Sequence, residues 1–393
     1  MATGFAVVSG SVRVLAGVAL AAVALAQSPV LDGVAVPGRV EVRLDGAAPS
    51  AIAAWFVSAS VGVTPLPWGG LLELEAPEWL AIALADEHGS AHFASPFLVG
   101  QHAGIAVHSQ VLVWDPAVPL TTSGAVVATP RHACTVPAPG APADVFVLFG
   151  QSNAEGHADG ASLPARFIGA RPRARIWVDG ANAFVAMQHG ANTRSYGPAN
   201  WCGPELSLAD ELAGEDGTVH LVKFALPATA LGDTPGPWNE WGAPAQELYA
   251  ILRYRIGAAC AAMRAQGLEP RVRGIFMVQG ESDCTDEFQA RSYRANLTEL
   301  VHTFRQDLVA AGDANVPDVP FVLATVDQRL PAWFFPHVAS VRAAQRVVAR
   351  SLPRCAAVAT EHLGMQPDGV HFTGSGVVQL GKDLAAAWRT FAP

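Results

Sequence analysis

A serine follows a short apolar run near the middle of the chain. The residues Gly150-Gln151-Ser152-Asn153 come directly after 145–149, a segment typical of a buried β-strand. In α/β proteins, ligands bind outside the carboxyl ends of the strands, where a side chain on the following turn is open to substrate. The pattern therefore indicates that the hydroxyl of Ser152 is placed to act as a nucleophile.

A second motif, Asp368-Gly369-Val370-His371, lies far downstream in a predicted loop that leads into the last helix. A serine hydroxyl is a weak nucleophile until a base takes its proton, and a carboxylate that orients the base improves this transfer. A spacing of three lets Asp368 contact one ring nitrogen of His371 while the other faces Ser152. Alone, Asp-x-x-His is more typical of a helix cap beside a surface histidine. Combined with the strand-end serine, it indicates a catalytic triad.

Acyl transfer also needs hydrogen-bond donors where negative charge develops on the carbonyl oxygen. The segment Trp201-Cys202-Gly203-Pro204-Glu205-Leu206 is a turn entering a helix, and a glycine there lets the N–H of Gly203 approach substrate closely. Val278-Gln279-Gly280-Glu281-Ser282-Asp283 ends another apolar strand and would carry the Gln279 amide to the same sheet edge. Taken alone, each segment has an equally good alternative interpretation. The first could be a simple helix start, and the second a turn exposed to solvent.

Four blocks in this order resemble the SGNH-hydrolase superfamily, and more narrowly its sialate O-acetylesterase branch, which includes the acetylxylan esterases of carbohydrate esterase family six. The blocks are Gly150-Gln151-Ser152-Asn153, Gly203-Pro204-Glu205-Leu206, Gln279-Gly280-Glu281-Ser282-Asp283 and Asp368-Gly369-Val370-His371. The resemblance covers about residues 143–393. It implies a flavodoxin-like three-layer α/β domain and a serine esterase that removes O-acetyl groups from carbohydrates such as xylan or sialic acid.

The resemblance also implies a role for each block. Ser152 is the nucleophile, His371 the general base and Asp368 the acid that orients this base. The oxyanion hole has three donors, the N–H groups of Ser152 and Gly203 and the side chain of Gln279. Within the blocks, Gln151 and Asn153 are neighbours of the nucleophile and Glu281 follows Gln279, and we expect these three side chains to support the site or bind substrate. Trp238 lies outside the blocks and is a candidate for substrate binding because its aromatic ring could stack on a sugar. No metal or other cofactor is required.

One segment departs from the family pattern. Many members have a Gly-Gly-Thr-like turn after the strand that follows the second block, whereas this chain has Pro227-Ala228 there. Loss of both glycines alters the backbone beside the pocket, so substrate specificity does not transfer directly from the family. The following segment contains Trp238 and Trp241, which could stack on a sugar ring or belong to the core.

The chain has 393 residues, which favours two domains, and 51% apolar against 15% charged residues excludes general disorder. Alternation of period two over 27–129 predicts a β-sandwich. A Pro/Ala-rich linker follows at 130–143. From 144 to 393, strands alternate with long helices, which predicts a mostly parallel five-stranded sheet with helices on both faces. The predicted strands are 144–149, 218–224, 272–278, 320–326 and 356–360, and the predicted helices 244–266, 286–311, 338–351 and 376–390.

The N-terminus has the pattern of an export signal, with Arg13 before an apolar stretch at 14–26 and small residues before a cleavage point after Ala26. A buried strand or helix is the alternative. The stretch is shorter than the ~20 residues of a membrane-spanning helix. We therefore expect a secreted or periplasmic protein without a membrane span. The net charge of −9 without a Lys/Arg cluster argues against a nucleic-acid partner.

Five cysteines are spaced too irregularly for a zinc site. Cys202 and Cys284 adjoin the proposed active-site blocks, so they could form a disulfide or remain buried thiols. The expected partner is an acetylated carbohydrate, and the oligomeric state is not predicted. Two alternative functions stay open: an SGNH arylesterase, lipase or peptidoglycan O-acetylesterase with the same triad, and a carbohydrate-binding surface protein that has lost activity.

Overall fold

The computed structural model describes residues 29–36, 39–66, 71–75, 77–96, 106–119, 126–135, 137–138, 140–194, 198, 200–214, 217–232, 240–242 and 247–391. The predicted export signal at 1–26 and Trp238 lie outside the described residues. The chain divides into two compact units. Most of the first is formed by Leu44–Phe93 and Val107–Ala133, and most of the second by Asp32–Arg43 and Cys134–Pro393. The linker at 130–143 stays a prediction.

The N-terminal part of the chain is rich in β-strands, as predicted. Its strands are β1 (Val30–Val36), β2 (Arg39–Asp45), β3 (Ile52–Ser58), β4 (Val61–Pro65), β5 (Leu71–Leu74), β6 (Glu78–Leu84), β7 (Ala91–Pro96), β8 (Ala106–Trp114), β9 (Val126–Ala128) and β10 (His132–Thr135). Strand β3 lies between β6 and β8 and pairs antiparallel with both. Every second side chain of β3 is buried, which is the period-two pattern of a sheet with one covered face.

The second unit is built on a seven-stranded sheet. In chain order its strands are β11 (Pro142–Gly150), β13 (Ala170–Val178), β14 (Ala183–Gln188), β16 (Val219–Ala225), β17 (Glu269–Val278), β18 (Phe321–Ala324) and β19 (Cys355–Val358), and two short strands, β12 (Ala158–Asp159) and β15 (Trp201–Cys202), pair with each other. The sheet order is β14-β13-β16-β11-β17-β18-β19. All neighbours are parallel except β13 and β14. The five predicted strands are confirmed as β11, β16, β17, β18 and β19.

The strands β13 and β14 extend the sheet beyond the five strands that the sequence predicts. Strand β13 has the sequence ARPRARIWV, in which arginines and Pro172 interrupt the apolar pattern. The structure compensates one of these charges by pairing it: Arg175 is 2% exposed, and its guanidinium lies 3.0 Å from the carboxylate of Glu41. A buried charge is tolerated when it is paired in this way. The strand therefore depends on a partner that local sequence does not reveal.

Helices cover both faces of this sheet. They are α1 (Ser152–Glu155), α2 (Glu205–Ala213), α3 (Glu247–Ala265), α4 (Glu287–Ala310), α5 (Val338–Ser351) and α6 (Gly374–Arg389). Side chains of β11 alternate between the two cores: Val145, Val147 and Phe149 pack with α3, α4 and α5, whereas Phe146 and Leu148 pack with α2 and α6. The four long predicted helices are confirmed to within about one turn. The result is the expected three-layer α/β fold.

Two of the long helices, α4 and α6, begin with side-chain caps. Asp286 accepts a hydrogen bond from the N–H of Gln289 at the start of α4, and Thr373 accepts one from Gly376 at the start of α6. Such caps stabilise a helix start by about 0.5–2 kcal/mol. They fix where the loops before α4 and α6 end. Among the described residues, no helix is long and apolar enough to cross a membrane.

Candidate active site

Ser152 lies at the carboxyl end of β11, the central strand of the sheet. Gly150 has φ 141°, and a Cβ at this position would lie 2.0 Å from the carbonyl oxygen of Val278. Only glycine fits this close approach of two strands. The chain then turns into the short helix α1, which begins at Ser152. The side chain of Ser152 lines a cavity of about 580 Å³, so the predicted placement of the hydroxyl is observed.

Asp368 and His371 form the pair that the sequence predicts. His371 Nδ1 lies 2.7 Å from Asp368 Oδ2, while Oδ1 of the same carboxylate accepts the N–H groups of Val370 and His371 at 2.9 and 3.0 Å. Burial alone would raise the pKa of Asp368, but the two backbone N–H groups and the His371 side chain outweigh it and lower this pKa. The ionised carboxylate therefore holds a proton on Nδ1 and leaves Nε2 as the basic nitrogen.

Ser152 and His371 line the same cavity, although they come from opposite ends of the unit's sequence. No hydrogen bond between their side chains occurs among those of the described residues. Catalytic hydrogen bonds are often long before substrate binds and tighten in the complex. The structure thus brings the proposed nucleophile and base together at one opening.

Asn153 connects the serine turn to the histidine loop. Its Nδ2 donates to Glu281 Oε1 at 2.7 Å and to the carbonyl oxygen of Val370 at 3.1 Å. Its Oδ1 accepts the N–H of Phe372 at 3.2 Å. The two backbone groups belong to the residues on either side of His371. Asn153 therefore ties the backbone on both sides of His371 to α1.

Gln151 is held by the loop that follows β17. Its Oε1 accepts the N–H of Gly280 at 3.2 Å and, more weakly, that of Ser282 at 3.4 Å. Because this oxygen is engaged, the Nε2 end of the planar amide is the end left for other partners. Gln151 lines the cavity beside Ser152. The structure therefore places an amide donor next to the nucleophile.

Glu281 also lines the cavity. One carboxylate oxygen accepts the hydrogen bond from Asn153, and the other is buried and has no hydrogen-bond partner among the described residues. Burial raises the pKa of Glu281 more than the hydrogen bond from Asn153 lowers it. This carboxylate is thus close to the reacting groups and already bonded to the residue that positions the base.

Gln279 does not line the cavity. Its Nε2 donates to the carbonyl oxygen of Thr229 at 3.1 Å and to Asp283 Oδ2 at 2.5 Å, and its Oε1 accepts the hydroxyl of Tyr293 at 3.0 Å. Both ends of the amide are therefore engaged inside the protein. The structure does not bring the Gln279 side chain to the position that an oxyanion donor requires.

Gly203 lies behind the serine turn, outside the cavity lining. Its N–H lies 3.2 Å from the carboxylate of Glu205, two residues later. A Cβ on Gly203 would lie 2.9 Å from the Cα of Gly156, so glycine is required for close packing of the two segments. Of the three predicted oxyanion donors, the structure places only Ser152 in the cavity wall.

His157 is a site residue that sequence reasoning missed. Its ring stacks on that of His371 with centroids 4.7 Å apart and an angle of 24°, and it contacts Trp201 at 4.4 Å. Burial, and then the neighbouring His371 and Arg194, lower the pKa of His157 to about 4. Its Nε2 is buried without a hydrogen-bond partner among the described residues. The sequence did contain one indication of this role, because His157 directly follows Gly156, the glycine that ends the helix carrying Ser152.

The lining of the cavity also includes Pro227, Ala228, Phe334 and Phe335. Ala228 has φ 58°, so it keeps the left-handed backbone for which glycine is usual at such a turn. The departure from the family pattern thus lies at the pocket, as expected. Trp241, by contrast, is buried in the core and donates to Thr229.

All five cysteines are free thiols, so of the two alternatives for Cys202 and Cys284 the structure has the buried thiols and not the disulfide. Burial raises the pKa of Cys202 to about 12 and moves that of Cys284 in the same direction. Both thiols therefore stay protonated and act as small apolar side chains.

The family model for carbohydrate esterases described as sialic acid-specific acetylesterases matches residues 142–390. The chain belongs to this family. It is accordingly an esterase that acts on carbohydrates, a carboxylic ester hydrolase. The matched range begins at β11 and ends in the last turn of α6, so it covers the sheet, both helical layers and the cavity described above.

Similar proteins of known sequence and structure agree with this membership. A probable carbohydrate esterase of Arabidopsis thaliana is 30% identical over 117 residues, which are 30% of this chain and 40% of that protein's length. Its crystal structure aligns with a TM-score of 0.50 at 23% identity, over 63% of this chain and 98% of the other. The crystal structure of NanS aligns with a TM-score of 0.51 at 17% identity, over 65% and 99%. At these identities the two structures show a shared fold.

Proposed function

We propose that this esterase removes O-acetyl groups from carbohydrates through an acyl-enzyme intermediate on Ser152. The observation that supports this most is the cavity in which Ser152 meets a histidine already paired with a carboxylate. A nucleophile, a base and an orienting acid in this arrangement form the constellation for acyl transfer. Family membership supplies the class of substrate.

The proton movements follow from the hydrogen bonds of His371. Ser152 Oγ attacks the acetyl carbonyl carbon while Nε2 of His371 accepts the hydroxyl proton. The resulting imidazolium is stabilised by the carboxylate of Asp368, which lies 2.7 Å from Nδ1. The tetrahedral intermediate then expels the sugar alkoxide, which takes the proton from Nε2. Water, activated by the same nitrogen, hydrolyses the acetyl-enzyme and releases acetate.

Negative charge on the carbonyl oxygen requires donors in the cavity wall. We assign two: the N–H of Ser152 at the start of α1, and Nε2 of Gln151, whose other end is fixed by Gly280 and Ser282. A donor held in place before the reaction stabilises the developing charge without a cost of reorganisation. Gly203 and Gln279 then act indirectly, by packing against Gly156 and by fixing Thr229.

Asn153 and His157 are positioning residues in this proposal. Asn153 holds the backbone on both sides of His371, and the His157 ring limits rotation of the His371 ring by stacking on it. A base held within a narrow range of orientations transfers protons more often in the productive geometry. The lowered pKa of His157 keeps a second positive charge away from the imidazolium.

The experiment that tests this function compares the wild type with Ser152→Ala. We expect the wild type to release acetate from acetylated xylan or from O-acetylated sialic acid and the variant to release none above background, with an unchanged circular dichroism spectrum. Activity on p-nitrophenyl acetate alone would favour an arylesterase with the same triad. Equal acetate release by both proteins would remove the triad from the mechanism, and binding of glycan without release by the wild type would indicate an inactive binding protein.

Export stays a prediction, tested by recovery of a chain that starts at Gln27 from the medium or periplasm.

A further inference from the structure

Two large aromatic side chains are exposed to solvent beside the cavity. Trp333 is 85% exposed and Phe334 53% exposed, in the loop between β18 and α5. Aromatic residues usually bury most of their large surface, and an exposed apolar patch commonly marks a binding surface. Trp333 and Phe334 are therefore a candidate binding surface.

The loop that carries the pair is held in place. The N–H groups of Phe334 and Phe335 both donate to the carbonyl oxygen of Pro331, at 3.0 and 2.8 Å. At the start of the loop, the guanidinium of Arg329 lies 2.7 Å from the carboxylate of Asp327. The aromatic rings are therefore presented on a fixed backbone, which reduces the entropy that binding would otherwise cost.

The pair is continuous with the catalytic cavity. Phe334 lines the cavity together with Ser152 and His371, and its ring contacts that of Trp333 with centroids 5.6 Å apart. A sugar unit bound on Trp333 would therefore lie next to a second sugar unit that carries the ester within reach of Ser152. This is the geometry of a subsite for the neighbouring unit of a chain-like substrate.

The charge of the cavity limits the kind of sugar. Among the described residues that line it, none is a lysine or arginine, and one, Glu281, is acidic. Arg194 is close by, but its guanidinium donates to the carbonyl oxygen of Gly156 and packs over the ring of Trp201. An anionic sugar would find no lysine or arginine among these described lining residues to replace its hydration, so a neutral sugar is favoured.

We propose that Trp333 and Phe334 bind the ring of a neutral sugar next to the acetylated one, so that the substrate is an acetylated neutral oligosaccharide or polysaccharide. This inference rests on the proposed function. The C–H face of a pyranose ring is apolar and its rim is polar, which matches an exposed aromatic plane beside a polar cavity. Acetylated xylan has this chemistry, whereas free O-acetylated sialic acid is anionic and has no second ring.

The test measures kcat/KM of the wild type, Trp333→Ala and Ser152→Ala on four substrates: acetylated xylo-oligosaccharide, an acetylated xylose monosaccharide, O-acetylated sialic acid and p-nitrophenyl acetate. We expect the wild type to prefer the oligosaccharide, and Trp333→Ala to lower the ratio of oligosaccharide to p-nitrophenyl acetate activity about tenfold, mainly through KM. Phe288→Ala removes an aromatic side chain that is 73% exposed on α4 and does not line the cavity, so its ratio should match the wild type.

An unchanged ratio in Trp333→Ala would overturn the subsite, and a preference of the wild type for O-acetylated sialic acid would overturn the neutral substrate. Both results leave the esterase itself intact. Retention of activity in Ser152→Ala would instead overturn the proposed function. The two failures are therefore distinguishable with the same set of proteins.

Discussion

The side-chain amide of Asn153 donates a hydrogen bond of 3.1 Å to the carbonyl oxygen of Val370, the residue before the proposed base. With the bond from the N–H of Phe372 to Asn153 Oδ1, it ties the histidine loop to the residue after the nucleophile. The distance between Ser152 and His371 thus depends on one buried amide.

Replacement of this amide should affect turnover more than binding. We expect Asn153→Ala to lower kcat about 10- to 100-fold with little change in KM, and to destabilise the fold by about 1–3 kcal/mol because buried partners are left unsatisfied. Asn192→Ala is the matched control, since Asn192 also bonds two backbone groups but lies outside the cavity. Comparable falls in kcat for the two variants, at equal fractions folded, would show that Asn153 has only a structural role.

The histidine stack makes a prediction about pH. Burial, with the nearby His371 and Arg194, lowers the pKa of His157 from 6.5 to about 4. Between these two pH values the unfolded chain therefore binds more protons than the folded protein. Because protonation favours the unfolded chain, the free energy of unfolding falls as the pH falls from 6.5 to about 4. His157→Phe keeps an aromatic plane without a titrating nitrogen. Its Tm should fall less than that of the wild type between about pH 7 and about pH 4.5.

His220, another buried histidine with a lowered pKa, is present in both proteins, so the difference between the two Tm curves isolates His157. Parallel curves would mean that His157 is protonated in the folded state at the same pH as in the unfolded state. That outcome would contradict a neutral ring stacked on His371.

Ala228 predicts a gain of stability on mutation to glycine. The left-handed backbone of Ala228 costs about 1–2 kcal/mol of folding free energy, and glycine would remove this cost. Glycine also gives the unfolded chain more conformational freedom, which lowers the stability of the folded state by about 0.4–1 kcal/mol. Ala228→Gly should therefore stabilise the protein by about 0.5–1 kcal/mol in denaturant unfolding and, because Ala228 lines the cavity, also change KM. Asn182→Gly, at another left-handed position away from the cavity, should leave KM unchanged. A loss of stability in Ala228→Gly would show that the methyl group has packing contacts that outweigh the backbone cost.

Gln151→Glu tests the second oxyanion donor. Glutamate keeps the oxygen that accepts from Gly280 and Ser282 but replaces the N–H donor by an oxygen. We expect kcat to fall about 10²–10³-fold, as for loss of one such donor elsewhere. Gln289→Glu adds the same charge to the same cavity wall and should have a much smaller effect. Equal losses in the two variants would attribute the effect to charge rather than to the missing donor.

Much of the fold could be predicted because its signals are local. Apolar runs predicted five of the seven strands, and amphipathic periodicity predicted α3, α4, α5 and α6. Strand β13 could not be predicted, since Arg175 is accommodated by Glu41, 134 positions earlier in the chain. A charged strand is recognisable only once its partner is known.

The same distinction holds for the site. Asp368 and His371 are close in sequence, and Ser152 follows directly from a strand end, so motif and spacing were sufficient to place them. The orientation of the Gln279 amide depends on Asp283 of the same block and on Thr229 and Tyr293, which come from two other segments. Motif position therefore predicted which residue is near the site, but only packing decides whether its donor reaches the cavity.

The central claim is that acetyl is transferred to Ser152, and peptide mass spectrometry of protein quenched during turnover of an acetylated oligosaccharide tests it most directly. We predict one peptide that carries the mass of an acetyl group, with the modification at Ser152, and its absence in Ser152→Ala together with loss of acetate release. Acetate release that continues in Ser152→Ala, or an acetyl group found on a different residue during turnover, would contradict the account.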